Sequence, residues 1–137
     1  MAFVLKNCFV SVDGTDLSLD TRDVSVDMSA DSVDVTSMGA GAHQILAGLR
    51  SDKFTFTMYS NYDPGRLDAI LYPKFTAGGT VAVIVRPTSG TVSTGNPQYS
   101  GGCSILTYSP VAGGIGAAAM TTVDLPLTSG TISRATS

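Results

Sequence analysis

Polar and apolar residues alternate most strictly in two stretches of this 137-residue chain. In the first, Val24, Val26 and Met28 are apolar, while Asp23, Ser25, Asp27 and Ser29 between them are polar. In the second, residues 52–59, Phe54, Phe56 and Met58 face one way and Lys53, Thr55, Thr57 and Tyr59 the other. A period of two puts successive side chains on opposite sides of an extended chain, so both stretches read as half-buried strands. The phase of the first flips further on. Val33 and Val35 are apolar at odd positions, with Asp34 and Thr36 at even ones, which places a turn or bulge around Ala30-Asp31-Ser32.

Weaker patterns complete the chain. Residues 3–12 alternate loosely, with Val4, Cys8, Val10 and Val12 of one parity, and run into a turn at Asp13-Gly14-Thr15-Asp16. Asn61-Tyr62-Asp63-Pro64-Gly65 breaks the Phe54 strand and opens one helix, with Asp63 as N-cap and Pro64 at the first helical position. Leu67, Ile70, Leu71 and Phe75 follow at helical spacing, and Arg66, Asp68 and Lys74 lie off that stripe. Pro73 predicts that the regular helix stops near Tyr72, ahead of Ala77-Gly78-Gly79. Residues 81–85 are nearly all apolar and read as a strand covered on both faces. Residues 87–97 read as a loop, 99–109 as a strand, 110–118 as a glycine-alanine loop and 120–127 as a last strand. The polar end, residues 128–137, is expected to fray and to be flexible. About seven strands and one helix predict a single domain over residues 1–137, mainly β, a sandwich or barrel flanked by the helix.

One connection does not behave like a connection. The segment between the two alternating strands, residues 34–49, is punctuated by glycine, almost free of charge, and apolar at Met38, Ile45, Leu46 and Leu49. A solvent-facing loop is normally polar, so this one requires cover, from its own domain or from a neighbouring subunit.

Composition narrows the picture. Charged residues make up 14% of the chain, against roughly 25% in ordinary domains, which fits a surface shared within an assembly. All 11 acidic residues are Asp, a poor helix former, in keeping with β-structure. A net charge of −3 argues against a free-standing nucleic-acid binder. The first seven residues show no secretory signal pattern, and no apolar run approaches the ~20 residues of a membrane-spanning helix. Cys8 and Cys103 lie in strand-like surroundings without a second ligand nearby, and read as two buried thiols of a reducing cytoplasm.

Chemistry is hard to find. The single histidine, His43, has no carboxylate beside it, and Gly39-Ala40-Gly41 and Gly113-Gly114-Ile115-Gly116 lack the Lys-Ser/Thr of a phosphate cradle. Seven of the 11 acidic residues crowd between Asp13 and Asp34, but their spacing matches no calcium loop. They read either as a solvated strand face with two Asp-favouring turns, or as a polar stripe of Asp23, Ser25, Asp27 and Ser29. Repeated around a ring of subunits, that stripe would line an acidic channel along which nucleic acid slides without sticking.

The strand Asp23-Val24-Ser25-Val26-Asp27, the run Val33-Asp34-Val35-Thr36-Ser37-Met38-Gly39, and Gly48-Leu49-Arg50-Ser51-Asp52-Lys53-Phe54 carry a resemblance. With the helix after Asn61-Tyr62-Asp63 and the closing Ser129-Gly130-Thr131-Ile132-Ser133-Arg134, the chain resembles the major tail (tail tube) proteins of long-tailed, non-contractile bacteriophages. The resemblance implies a β-sandwich with one flanking helix, assembling as hexameric rings stacked into a hollow tube that delivers DNA. It implies lumen-facing Asp23, Ser25 and Asp27, and a long assembly loop near residues 36–50 that reaches other subunits through Met38, Gly39, His43, Ile45, Leu46 and Leu49. It also implies a virion protein made in the host bacterial cytoplasm, with no catalysis, cofactor, metal or membrane binding. Its partners would be itself and the tape measure, tail terminator and tail tip proteins, with DNA passing through unbound. The alternatives are a tail terminator, a capsid decoration protein, a secretion-system tube subunit, or a β-sandwich binding module. The last usually presents an aromatic platform; this chain has no Trp, and its five Tyr do not cluster in one loop.

Overall fold

The computed structural model describes residues 3–128 and 130–137; Met1 and Ala2 of the amino-terminal reading, and Ser129 of the closing stretch, lie outside the described residues. Two antiparallel sheets face each other across one core. The chain order is β1 (Phe9–Val12), β2 (Thr15–Asp16), β3 (Thr21–Asp34), β4 (Ile45–Tyr59), α1 (Leu67–Ala77), β5 (Val81–Arg86), β6 (Gln98–Cys103), β7 (Thr107–Ala112), β8 (Met120–Pro126) and β9 (Ser133–Ala135). One sheet runs β2-β1-β5-β6-β9 and the other β3-β4-β8-β7. The mainly β sandwich with one helix is therefore as the sequence predicts, with nine strands among the described residues rather than about seven.

The core follows from the period-two pattern. Phe54, Phe56 and Met58 of β4 and Val123 and Leu125 of β8 are fully buried and meet Val10, Val12 and Val83 of the facing sheet. Leu67 and Leu71 anchor α1 to the same core. Asp52, one step further along β4, is also buried. It accepts a hydrogen bond from the Ile132 N–H at 2.8 Å and pairs with Arg50 at 2.7 Å. Both partners bind Oδ2, while Oδ1 is buried without a hydrogen-bond partner, so they offset only part of the cost of desolvating the carboxylate.

Several local expectations are corrected. The helix starts at Leu67, three residues later than the Asp63 cap predicts. Pro64-Gly65 instead occupies the centre of a turn closed by Arg66 N–H to Asp63 O at 3.1 Å, and Gly65 has φ +73°, outside the helical region. Pro73 does not end the helix, which runs on to Ala77 and closes with Gly78 N–H on Lys74 O. Lying in the seventh position, the proline removes one intrahelical donor while Leu67 and Leu71 hold the helix down. Residues 81–85 bury only Val81, Val83 and Val85; Ala82 is exposed.

The stretch 99–109 is two strands, not one. β6 belongs to the first sheet and β7 to the second, and the chain passes from one sheet to the other at Ser104, Ile105 and Leu106, of which only Ile105 is buried. The carboxyl-terminal residues do not all fray: Ile132 is buried in the core and β9 pairs with β6. Both thiols are free, Cys103 buried and Cys8 half-buried, and burial pushes Cys103 up to about 11.

Phe56 is fully buried in the core that the two sheets share, so Phe56→Ala is expected to lower unfolding free energy by about 3–5 kcal/mol in urea denaturation. A loss below ~1 kcal/mol would show that the core does not depend on this strand.

Candidate functional site

The β3-β4-β8-β7 sheet has two faces of opposite character. Because alternate residues of β4 and β8 are committed to the core, the residues between them must face outward. Register sets Asp23 opposite Thr57, Ser25 opposite Thr55, Asp27 opposite Lys53 and Ser29 opposite Ser51. On β4's other side, Thr57 meets Thr122 and Thr55 meets Asp124, and these in turn meet Ser109 and Thr107 of β7. The outer face is thus a field of hydroxyls with the carboxylates Asp23, Asp27 and Asp124 set against two cations, Lys53 and the Arg22 guanidinium that pairs with Asp23 at 3.8 Å. The structure brings Asp23, Ser25 and Asp27 together on this face, with Ser25 donating to Asp27 Oδ1 at 2.9 Å.

Sequence reading singled out only the β3 stripe. The hydroxyls of β4 were visible as the polar half of its alternation, but those of β7 and β8 join the same face only through strand pairing across the sheet.

The apolar segment is a hairpin arm rather than a long loop. β3 and β4 stay paired far beyond the core, through Ser32–Ala47, Val33–Leu46 and Asp34–Ile45, so Ile45, Leu46 and Leu49 lie on β4 and the connection shrinks to residues 35–44. A register shift falls between Ala30 and Ser32, where the flipped phase predicts one. Gly48 sits at this irregularity, and a Cβ there would come within 3.0 Å of Val33 Cγ2 and 3.3 Å of the Asp31 carbonyl. The turn at the arm's far end is closed by local hydrogen bonds. Thr36 N–H donates to Asp34 Oδ1 at 2.9 Å, and Gln44 N–H donates to Thr36 Oγ1 at 2.8 Å. Hydrogen bonding from Thr36 holds the Asp34 carboxyl below the usual carboxylate range.

None of the arm's apolar side chains reaches the core. Ile45 is 67% exposed, Leu46 60%, Leu49 82%, and Met38 stands fully in solvent. Gly39 and His43 lie exposed at the tip. Val33 and Val35 add to the same surface.

Two further features escape the sequence. The outer strands β3 and β7 leave the second sheet with two edges. Beside β3, between the sheets, an apolar groove of about 300 Å³ is lined by Leu5, Cys8, Val24, Val26, Met28 and Tyr99, among others. A wider, more polar depression of about 740 Å³ adjoins it around Lys6, Asp16 and Arg22. Among the described residues no group of three or more His, Cys, Asp or Glu could hold a metal ion, and no helix is long and apolar enough to cross a membrane.

Solved structures share this fold. The chain superposes on one from the tail of an empty gene transfer agent particle, refined with C6 symmetry, with TM-score 0.77 and 21% identity over 98% of this chain and 99% of that one. A chain from the virion of a native gene transfer agent particle gives TM-score 0.76 at 19% identity, covering 98% and 99%. A chain from the extended sheath–tube complex of an extracellular contractile injection system gives 0.72 at 12%, covering 99% and 93%. No protein-family model matches the chain, and no curated protein matches its sequence. The expected likeness to tail tube proteins is met at the level of the fold.

Because the arm's tip touches no core residue, replacing residues 36–43 by Asn-Gly is expected to change unfolding free energy in urea by less than about 0.5 kcal/mol. A loss above ~2 kcal/mol would mean that the tip stabilises its own domain.

Proposed function

We propose that this chain is a structural virion subunit that assembles as stacked hexameric rings, forming a tail tube through which DNA is delivered. The observation that carries the reading is the second sheet, with its wholly outward polar face and its two edges. Each step from β3 through β4 and β8 to β7 reverses strand direction, so the two edges run oppositely. A head-to-tail ring then sets β3 of one copy beside β7 of the next in antiparallel pairing. Every copy keeps its polar face on the same side, and the ring closes without an open edge. The C6 symmetry of the gene transfer agent tail supports six copies.

In such a ring Asp23, Ser25 and Asp27 line the lumen together with the hydroxyls of β4, β7 and β8. Three carboxylates against two cations leave an excess of negative charge that repels DNA phosphates, and the short neutral hydroxyls supply no cation that could replace the DNA's counterions. DNA therefore passes without being held. The role is mechanical, and neither catalysis nor a cofactor enters it.

The arm supplies the axial contact. It projects from the end of the sheet where β3 passes into β4, whereas the β7–β8 connection lies at the opposite end, since Met120 pairs with Tyr59. That opposite end also exposes apolar side chains, Val111 at 74% and Ile115 completely. Stacking sets the arm of one ring, through Met38, Ile45, Leu46 and Leu49, against the far end of the next. Removing these side chains from water is the driving force for stacking. The subunit acts in the virion tail after assembly in the host bacterial cytoplasm. Tape measure, tail terminator and tail tip proteins are its further partners.

Purified protein is expected to form hollow tubes in negative-stain electron microscopy. Solitary rings would favour a terminator, and monomers at every concentration, with or without tail tip complex, would refute the tube. Tubes of the Asp23→Lys, Asp27→Lys double variant are expected to retain DNA on a filter at low salt and release it as salt rises, whereas the native tube retains none. Equal retention by both would remove the acidic lumen from the mechanism.

A further inference from the structure

The outer face of α1 is anomalous for a surface helix. Its two charged side chains are both engaged within the domain. Asp68 accepts a hydrogen bond from the Tyr108 hydroxyl of β7 at 2.6 Å, and Lys74 pairs with Asp13 in the β1–β2 turn. Burial, then the Asp68 carboxylate, push the Tyr108 hydroxyl well above the usual tyrosine range, so it stays a donor to Asp68 at any physiological pH. What the helix turns to solvent is Ala69, Tyr72, Pro73 and Thr76, with Phe75 39% exposed and its ring packed at a tilt against Tyr108, centroids 6.0 Å apart. No charge remains on that face.

The sandwich has two open flanks, one beside each edge of the second sheet. The flank beside β7 is closed by α1. The flank beside β3 is closed by no element among the described residues, and is the groove of Leu5, Cys8, Val24, Val26, Met28 and Tyr99. Val24 and Val26 are only half-buried there, and Met28 is 49% exposed. α1 packs on the core side of β7, and the groove lies on the core side of β3. If β7 of one copy pairs with β3 of the next, the sheet is continuous across the joint, and the uncharged helix face arrives at the uncharged groove.

Resting on the ring reading above, we propose that the groove beside β3 is the receptor for α1 of the adjacent copy, with Tyr72 and Phe75 as the side chains that fill it. Main-chain pairing alone is tolerant of register, because a slip of two residues restores the same hydrogen bonds. An aromatic pair seated in a bounded apolar groove fixes one register, and so fixes the height of each subunit relative to its neighbour. The helix becomes the element that makes the ring flat rather than a spiral.

The test uses the full chain and five variants. Tyr72→Asp and Met28→Lys place a charge in an uncharged contact from either side, at exposed positions that leave the core intact. Each is expected to remain folded by circular dichroism and to raise the concentration at which tubes appear by about tenfold or more. The Tyr72→Asp, Met28→Lys double variant presents opposite charges across every joint and is expected to restore assembly to within about threefold of native. In assembled tubes Tyr72→Cys is expected to give a ladder of intermolecular disulfides on mild oxidation. The ladder disappears when Cys8→Ser is added. Native-like assembly by both single variants, or impaired assembly without rescue and without the ladder, would overturn the contact. In those cases native tubes still form and the ring reading stands; failure of native protein to form tubes is failure of that reading itself.

Discussion

Burial of Phe54, Phe56 and Met58 against the facing sheet commits every second residue in the latter half of β4 to the core. The pleat leaves no freedom for the rest: Lys53, Thr55 and Thr57 must face away. Pairing with β3 and β8 carries the same constraint sideways, so one strand's packing imposes a dry face and a wet face on a whole four-stranded sheet. The proposed lumen is the consequence of that core. A residue cannot be moved from one face to the other without dismantling the other side.

Satisfying the backbone sets the second constraint. A four-stranded antiparallel sheet has two edges whose N–H and C=O groups need partners, and the polar face prevents the sheet from curling on itself to supply them. Four is an even number, so the edges run in opposite directions and suit each other across a rotation axis. The two flanks are likewise unlike, one filled by α1 and the other open. In the proposed ring, closure by copies of the same chain satisfies edges and flanks in one step. The low charge content is then the expected composition of a chain with few faces left to water.

The sequence was informative where one local rule decides. Strict alternation placed β3 and β4, and the phase flip at Ala30-Asp31-Ser32 marked the register shift that the structure contains. It misled where two rules competed. Asp63-Pro64 has the chemistry of a helix start, yet Gly65 at positive φ makes it a turn, and only then does Leu67 enter the core. Pro73 disfavours a helix locally, but Leu67 and Leu71 outweigh it through burial. Residues 45–50 look like loop because glycine and leucine there follow no period; pairing with β3 makes them strand all the same.

Period-two patterning and the low charge were therefore written in the chain itself: a β-domain with one acidic stripe and an apolar connection between its two alternating strands. Each is a property of neighbours in sequence. What joins Asp23 to Thr55, Thr122 and Ser109 on one face, sends β6 and β7 to different sheets and leaves a groove open beside β3 is long-range pairing. Such contacts depend on residues dozens of positions apart, and no local pattern encodes them. The apolar arm shows the division most clearly. Its hydrophobicity was legible at once, but only the fold could decide that none of it belongs to this chain's own core.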